Sequence, residues 1–305
     1  MRSVKARAKI NLYLAVRGRR PDGYHWVDTI YQSLELCDDV TVLPRPSGVV
    51  VTADDPAVPK GPDNLAFRAS VVLGRMLFGP DWDPLEGRPG VEVHIVKRIP
   101  MQAGLGGGSA DAAATLLGLL EMWTGKPVAR PVASSNPLWR VAAGLGADVP
   151  FGLVGGCAIG HGRGELLTPL PGLVGTPVVL AFPPFGLSTA AVYRWWDEDH
   201  PDVPYLADPP APADLTGVVA ALRSATSKFA IRNDLEPVVF SRYPALEALK
   251  TSMLASGAWA AAMSGSGSTI FGLAQDDRVA AVIARDVARV VPGTKVIITR
   301  AWGEA

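Results

Sequence analysis

The stretch that decides the reading is Pro100-Met-Gln-Ala-Gly-Leu-Gly-Gly-Gly-Ser-Ala-Asp-Ala-Ala-Ala114. Its glycines at 104, 106, 107 and 108 stand directly ahead of a long apolar run. Glycine admits backbone turns closed to other residues and leaves amide N–H groups uncovered. At a helix N-terminus, bare amides and the helix dipole receive phosphate. The run therefore predicts a strand, a glycine loop and a helix opening on a nucleotide or another phosphorylated ligand. Ser109 is expected as the N-cap and Asp111 as a first-turn acid. The pattern is not a Walker A loop, because no Lys-Ser or Lys-Thr pair follows the last glycine. It fits a dinucleotide fingerprint only in part, since Val128 stands about twenty positions on, where an acid belongs.

Working outward, Val91, Val93 and Ile95 alternate with Glu92 and His94 and predict the strand feeding the loop. The helix is expected to run to Trp123 and stop at Gly125. A connector from Pro127 to Pro137 follows, then a helix from Leu138 to Leu145. Upstream, Val4, Ala6, Ala8, Ile10, Leu12 and Leu14 alternate with Lys5, Arg7, Lys9, Asn11 and Tyr13. That is a strand over Val4–Val16 with Lys9 and Asn11 projecting together. Arg20-Pro-Asp-Gly23 is a turn, Ile30 to Leu36 a strand, and Val40–Leu43 with Gly48–Thr52 a hairpin. Asn64 to Leu77 reads as a helix. In the second half, Val178–Phe182 is a buried strand and Glu198–Pro212 an acidic, Pro-rich excursion. Helices over Leu215–Ser224, Pro244–Gly257 and Arg278–Val290 alternate with strands from Thr269 and over Lys295–Thr299. Mixed α+β architecture follows.

Lys plus Arg and Asp plus Glu number 29 each, which argues against nucleic acid or an anionic membrane as partner. Cys37 and Cys157 are the only cysteines, and the four histidines are scattered. A disulfide scaffold is excluded on that count, and a Cys/His metal site is not expected. The N-terminal stretch lacks the apolar block of a signal peptide, and no apolar run has the length of a membrane span. The chain reads as soluble and cytoplasmic.

Three segments, Ala8-Lys-Ile-Asn-Leu12, Pro100–Ala114 and Met263-Ser-Gly-Ser-Gly-Ser268, resemble the GHMP superfamily of small-molecule kinases. Asp22-Gly-Tyr-His25 and Gly146-Ala-Asp-Val-Pro150 narrow the resemblance to its 4-diphosphocytidyl-2-C-methyl-D-erythritol kinase branch. The resemblance implies an N-terminal α/β domain of ribosomal-protein S5 type over residues 1–170. It also implies a ferredoxin-like α+β domain over 171–305, with the active site in the cleft between them. The implied reaction is transfer of the ATP γ-phosphate to the 2-hydroxyl of a cytidine-diphosphate-linked methylerythritol. The other openings are a different GHMP kinase, acting on mevalonate, homoserine or a sugar, and a non-catalytic nucleotide-binding protein.

On that resemblance Asp148 is the proton acceptor and Lys9 its cationic neighbour, with Asn11 fixing the pair. Taken alone, Lys9 reads as a solvated strand lysine and Asp148 as a helix-terminal aspartate. Asn64 and Lys97 are implied at adenine, and Pro100, Met101, Gln102, Ala103, Gly104, Leu105, Gly106, Gly107, Gly108 and Ser109 around the phosphates. Mg²⁺ is expected to bridge the phosphates, its acidic ligands not evident and Ser109 a candidate. Tyr24, His25 and Tyr193 are implied at the cytosine, Gly162 and Gly164 beside it, and Thr189 at the diphosphate or erythritol. Gly265 and Gly267 are implied as a second anion nest. His161 and Trp195-Trp196 receive no role. The partner is a small molecule, and the chain is a monomer or homodimer.

Overall fold

The computed structural model describes residues 1–130, 132–218, 221 and 231–303. The chain divides into two compact units. One holds Met1–Ala8, Leu36–Pro100 and Gly106–Gly155; the other holds Lys9–Glu35, Met101–Leu105 and Gly156–Ala305. The division falls inside two long strands and inside the glycine loop, rather than at a linker.

In the first unit, the late part of β2 (His25–Arg45) pairs antiparallel with β4 (Gly90–Val96), Val42 opposite Val93. β3 (Val49–Ala53) pairs parallel with the other edge of β4. The expected hairpin of Val40–Leu43 with Gly48–Thr52 is thus wrong, because β4 inserts between those two strands. The insertion depends on Gly90: a Cβ there would fall 2.2 Å from the Ser47 carbonyl carbon. Val4, Ala6, Val40, Val42, Val93 and Ile95 join the helices in one core.

Four helices complete this unit: α1 (Leu65–Phe78), α2 (Gly107–Thr124), α3 (Pro137–Leu145) and α4 (Val149–Val154). Asn64 and Asn136 cap α1 and α3 through their side-chain oxygens. α2 is buried from Ala110 to Leu119 without a polar face. That explains the mostly apolar run: α2 is the unit's central helix, not an amphipathic surface one.

β1 (Arg2–Arg19) runs from the first unit into the second at Lys9, and its even residues from Val4 to Leu14 are buried as the alternation requires. The early part of β2 pairs with β5 (Cys157–His161), and β5 pairs with β6 (Leu166–Leu170). Neither β5 nor β6 was expected, since glycines 160, 162 and 164 mask the pattern. The expected strand at Ile30–Leu36 is one part of the 21-residue β2.

A four-stranded antiparallel sheet follows in the order β10-β7-β9-β8, formed by Lys295–Arg300, Pro177–Phe182, Ile270–Leu273 and Ala260–Met263. Packed on it are α7 (Pro244–Ala255) and α8 (Asp277–Val287), with α5 (Thr189–Asp199) and α6 (Glu236–Arg242) beside them. Their core gathers Val179, Ala181, Val192, Leu246, Leu249 and Ile283. The expected helix over Leu215–Ser224 lies partly outside the described residues.

Candidate active site

In the first unit, α2 opens on Gly106 in the left-handed region (φ 66°), and no side chain caps its first amides. Ser109 is therefore inside the first turn rather than the N-cap, because the glycine turn starts the helix at Gly107. Gly108 is exposed, while a Cβ on Gly107 would come within 3.0 Å of Ile99 and 3.2 Å of Lys97 Nζ. The first turn is thus bare outward and tight inward. That is the geometry for an anion lying against amides.

Asp111 does not serve the dipole either. It is buried beneath the turn, where Lys97 Nζ donates to it and to Asp38 at 2.6 Å each. Burial first, and then the second carboxylate, push the Asp111 carboxyl up to about 7 against the pull of Lys97. Asp38 accepts the Arg98 and Ile99 amides with its other oxygen, at 2.5 and 2.8 Å. Lys97 is locked by this pair, and Asn64 is occupied in capping α1. Asp148 stands at the start of α4, half-buried, with no side-chain cap bond.

In the second unit, the tip of the glycine loop sits on the Met263–Ser268 turn. The Gly104 carbonyl accepts from Lys9 Nζ at 3.1 Å and from Ser264 Oγ at 3.0 Å. Leu105 and Ala103 carbonyls accept the amides of Lys9 and Thr269 at 3.0 and 3.3 Å. Gly104 has φ 74°, and a Cβ there would strike the Ser264 carbonyl at 2.2 Å. Met101 and Gln102 are exposed at the loop's outer side.

Lys9 is buried, not solvated; only 6% of it is exposed. Its ammonium donates to Asn11 Oδ1 at 2.7 Å, Asn11 Nδ2 donates to Thr29 Oγ1 at 2.8 Å, and Thr29 donates to the Tyr13 carbonyl. A Cβ on Gly265 would lie 3.2 Å from Asn11 Oδ1 and 3.3 Å from Lys9 Nζ. Lys9, Asn11, Gly104 and Gly265 are thus gathered in one place. Asn233 holds the turn by donating to the Met263 and Gly265 carbonyls at 2.8 Å each. Thr189 Oγ1 lies 2.9 Å from Ser266 Oγ. Gly267 has φ 84° and donates its amide to the Ser264 carbonyl, so it closes the turn.

The same unit carries the aromatic set. Tyr24 is 53% exposed, with the Arg163 guanidinium 5.0 Å from its ring centre. His25 is buried against Tyr193, ring centres 4.7 Å apart, and against the edge of Trp196. Its Nε2 lies 2.8 Å from Asp197 Oδ1. Gly162 and Gly164 have φ of 77° and 107°, and a Cβ on Gly164 would meet the Tyr31 hydroxyl at 2.2 Å. Their first requirement is this turn.

Two family models match: GHMP kinases N terminal domain over residues 64–156 and GHMP kinases C terminal over 218–293. A 4-diphosphocytidyl-2-C-methyl-D-erythritol kinase of Moorella thermoacetica is 42% identical over 98% of both chains. One of Pelotomaculum thermopropionicum is 41% identical over 97% of this chain and 96% of that one. The chain belongs to this kinase family. A crystal structure of a 4-(cytidine 5'-diphospho)-2C-methyl-D-erythritol kinase, 33% identical, superposes with a TM-score of 0.75 over 99% of this chain and all of that one. Methanococcus jannaschii mevalonate kinase, 10% identical with a TM-score of 0.66 over 99% of this chain and 98% of that one, shares the fold. The α+β GHMP kinase fold is therefore the architecture of this chain, and a kinase of this family takes its phosphoryl group from ATP.

In the second unit Trp196 and Asp197 hold His25, Thr29 holds Asn11, and Asn233 and Ser264 hold the turn and the loop tip, while in the first unit Asp38 holds Lys97; the sequence reading assigned a role to none of these six. Asp197 is 172 residues from His25, and no local signal joins them. Among the described residues no group of three or more His, Cys, Asp or Glu could hold a metal ion. No helix among the described residues is long and apolar enough to cross a membrane.

Proposed function

We infer that this chain transfers the γ-phosphate of ATP to the 2-hydroxyl of 4-(cytidine 5'-diphospho)-2-C-methyl-D-erythritol. The observation that carries the reading is the Lys9 ammonium, buried and held between Asn11 and the Gly104 carbonyl of the glycine loop. The name of the acceptor comes from the curated relatives, which this chain matches over nearly its whole length.

Phosphoryl transfer needs positioning and charge neutralisation more than covalent help. The bare first turn of α2, with Gly106, Gly107, Gly108 and Ser109, receives the phosphates. The segment from Pro100 to Leu105 shapes their approach, and Gly265 is assigned to a second anion nest, in a turn that Gly267 closes. Lys97 and Asn64 border the adenine. Asp148 is assigned as the acceptor of the hydroxyl proton, and Lys9, oriented by Asn11, as a cation that neutralises phosphoryl charge. Mg²⁺ supplies charge neutralisation across the phosphates when bound, with the Ser109 hydroxyl the first-turn side chain able to reach it.

Tyr24 and Tyr193 offer faces to the cytosine, and His25 reads its polar edge. Gly162 and Gly164 leave room beside the base, and Thr189 faces the diphosphate or erythritol. We further propose a domain division near residue 170, a cytoplasmic setting, and a monomer or homodimer. The test is an ADP-release assay with ATP, Mg²⁺ and purified acceptors. Turnover of the cytidine-linked acceptor alone supports the reading; turnover of mevalonate or homoserine instead overturns it.

A further inference from the structure

His25 Nε2 and Asp197 Oδ1 are 2.8 Å apart. An ionised carboxylate only accepts hydrogen bonds, so the ring nitrogen at this contact carries the hydrogen. Arg19 fixes the carboxylate: its Nε donates to the same Oδ1 at 2.7 Å. The Arg19 Nη2 also donates to the Asp197 and His200 carbonyls, at 2.7 and 2.6 Å, and so ties down the C-terminal end of α5. The imidazole cannot swing away from this partner, since Tyr193 lies on its face and Trp196 meets it at 86°. Nδ1 has no hydrogen-bond partner among the described residues. In the neutral ring, hydrogen on Nε2 leaves Nδ1 as a bare acceptor.

We propose that Asp197, set by Arg19, is a positioning residue that locks His25 in the Nε2–H tautomer and thereby selects a pyrimidine carrying an exocyclic amine over one carrying a carbonyl at that position. The proposal rests on the reading of Tyr24 and His25 as the base site. Cytosine presents an amine hydrogen to the Nδ1 lone pair; uracil presents a second lone pair, which repels it. A ring free to take the Nδ1–H form would accept uracil by donating to its carbonyl. The discrimination therefore resides in the carboxylate behind the histidine, as much as in the histidine itself. A site built around a fixed acceptor rejects the mismatched group strongly, because the unpaired buried atom is costly.

The test combines long-range ¹H–¹⁵N spectra of the histidine rings with kinetics on cytidine- and uridine-diphosphate-linked acceptors. Wild type, Asp197→Ala and Asp197→Asn are compared, with His25→Gln to assign the His25 signals. Wild type should show the Nε2–H tautomer at a pH where the ring is neutral. In Asp197→Ala the tautomers should mix, and the cytidine-to-uridine ratio of kcat/KM should fall by about tenfold, with the KM for ATP unchanged. Asp197→Asn, whose amide oxygen still accepts from Nε2, should keep most of that ratio.

An Nδ1–H tautomer in wild type overturns the proposal whatever the variants do. So does an Asp197→Ala protein that loses both acceptors in equal proportion, as a purely structural role would require. Wild type that fails to bind the cytidine-linked acceptor at all removes the base-site reading, and this inference with it. That outcome is visible before any variant is made.

Discussion

Lys97 Nζ donates to Asp111 Oδ2 at 2.6 Å directly beneath the first turn of α2. Asp38 takes a second bond from the same ammonium, so one cation serves two buried carboxylates. Asp111 Oδ1, meanwhile, is buried without a hydrogen-bond partner. A carboxyl in that position holds its proton longer than a solvated one.

This fixes the sign of a pH effect. The folded pKa of Asp111 stands near 7, above the unfolded range of about 4. Folding then takes up a proton, and the contribution of Asp111 is complete below about pH 4 and lost as the pH rises through about 7. Asp111→Asn should remove that dependence. The midpoint of wild type minus that of the variant, followed by thermal unfolding, should fall across this window; a flat difference would show that the carboxyl is not raised.

Gly104 takes a conformation that L side chains avoid, and its missing Cβ would collide with a backbone carbonyl. Gly104→Ala should cost about 1–3 kcal/mol of stability and raise the KM for ATP through displacement of the loop tip. Denaturant unfolding and initial-rate kinetics measure the two. A variant as stable as wild type would mean that the loop does not rest on the Ser264 turn.

Lys9→Met and Asp148→Asn test the proposed chemistry. Each should lower kcat by on the order of 10²–10⁴-fold while leaving the acceptor KM within a few-fold of wild type. Single-turnover measurements separate this from slow product release. Full activity in Asp148→Asn would remove that residue from proton transfer.

Tyr24 is exposed and made of one large flat face, the arrangement of a stacking platform. Tyr24→Ala should weaken acceptor binding by roughly 1–3 kcal/mol and leave kcat largely intact. Calorimetric titration with the cytidine-linked acceptor reads this directly, and unchanged affinity would place the base elsewhere.

What the sequence disclosed depended on the range of each cause. Alternation along β1 is a local property, and its even residues from Val4 to Leu14 are buried as it requires. The helix behind the glycines and the buried run at Val178–Phe182 follow from neighbouring residues in the same way. Position of β4 between β2 and β3 is a tertiary choice, and adjacent strand patterns suggested a hairpin in its place. Ser109 has the type of an N-cap, but the left-handed Gly106 takes that position first. Lys9 and Asn11 were visible as residues of one strand face; the burial of that face was not, since lysine normally signals solvent. Partners far apart in sequence, such as His25 with Asp197, leave no mark that residue types or spacing could carry.

The most direct test of the central claim is ³¹P NMR of the product formed from ATP and 4-(cytidine 5'-diphospho)-2-C-methyl-D-erythritol by the purified chain. A new phosphomonoester signal without three-bond proton coupling, as a phosphate on the fully substituted C2 requires, formed in step with ADP and absent with mevalonate or homoserine, is the predicted result. ADP formed with either of those alcohols while the cytidine-linked acceptor stays unmodified would contradict it.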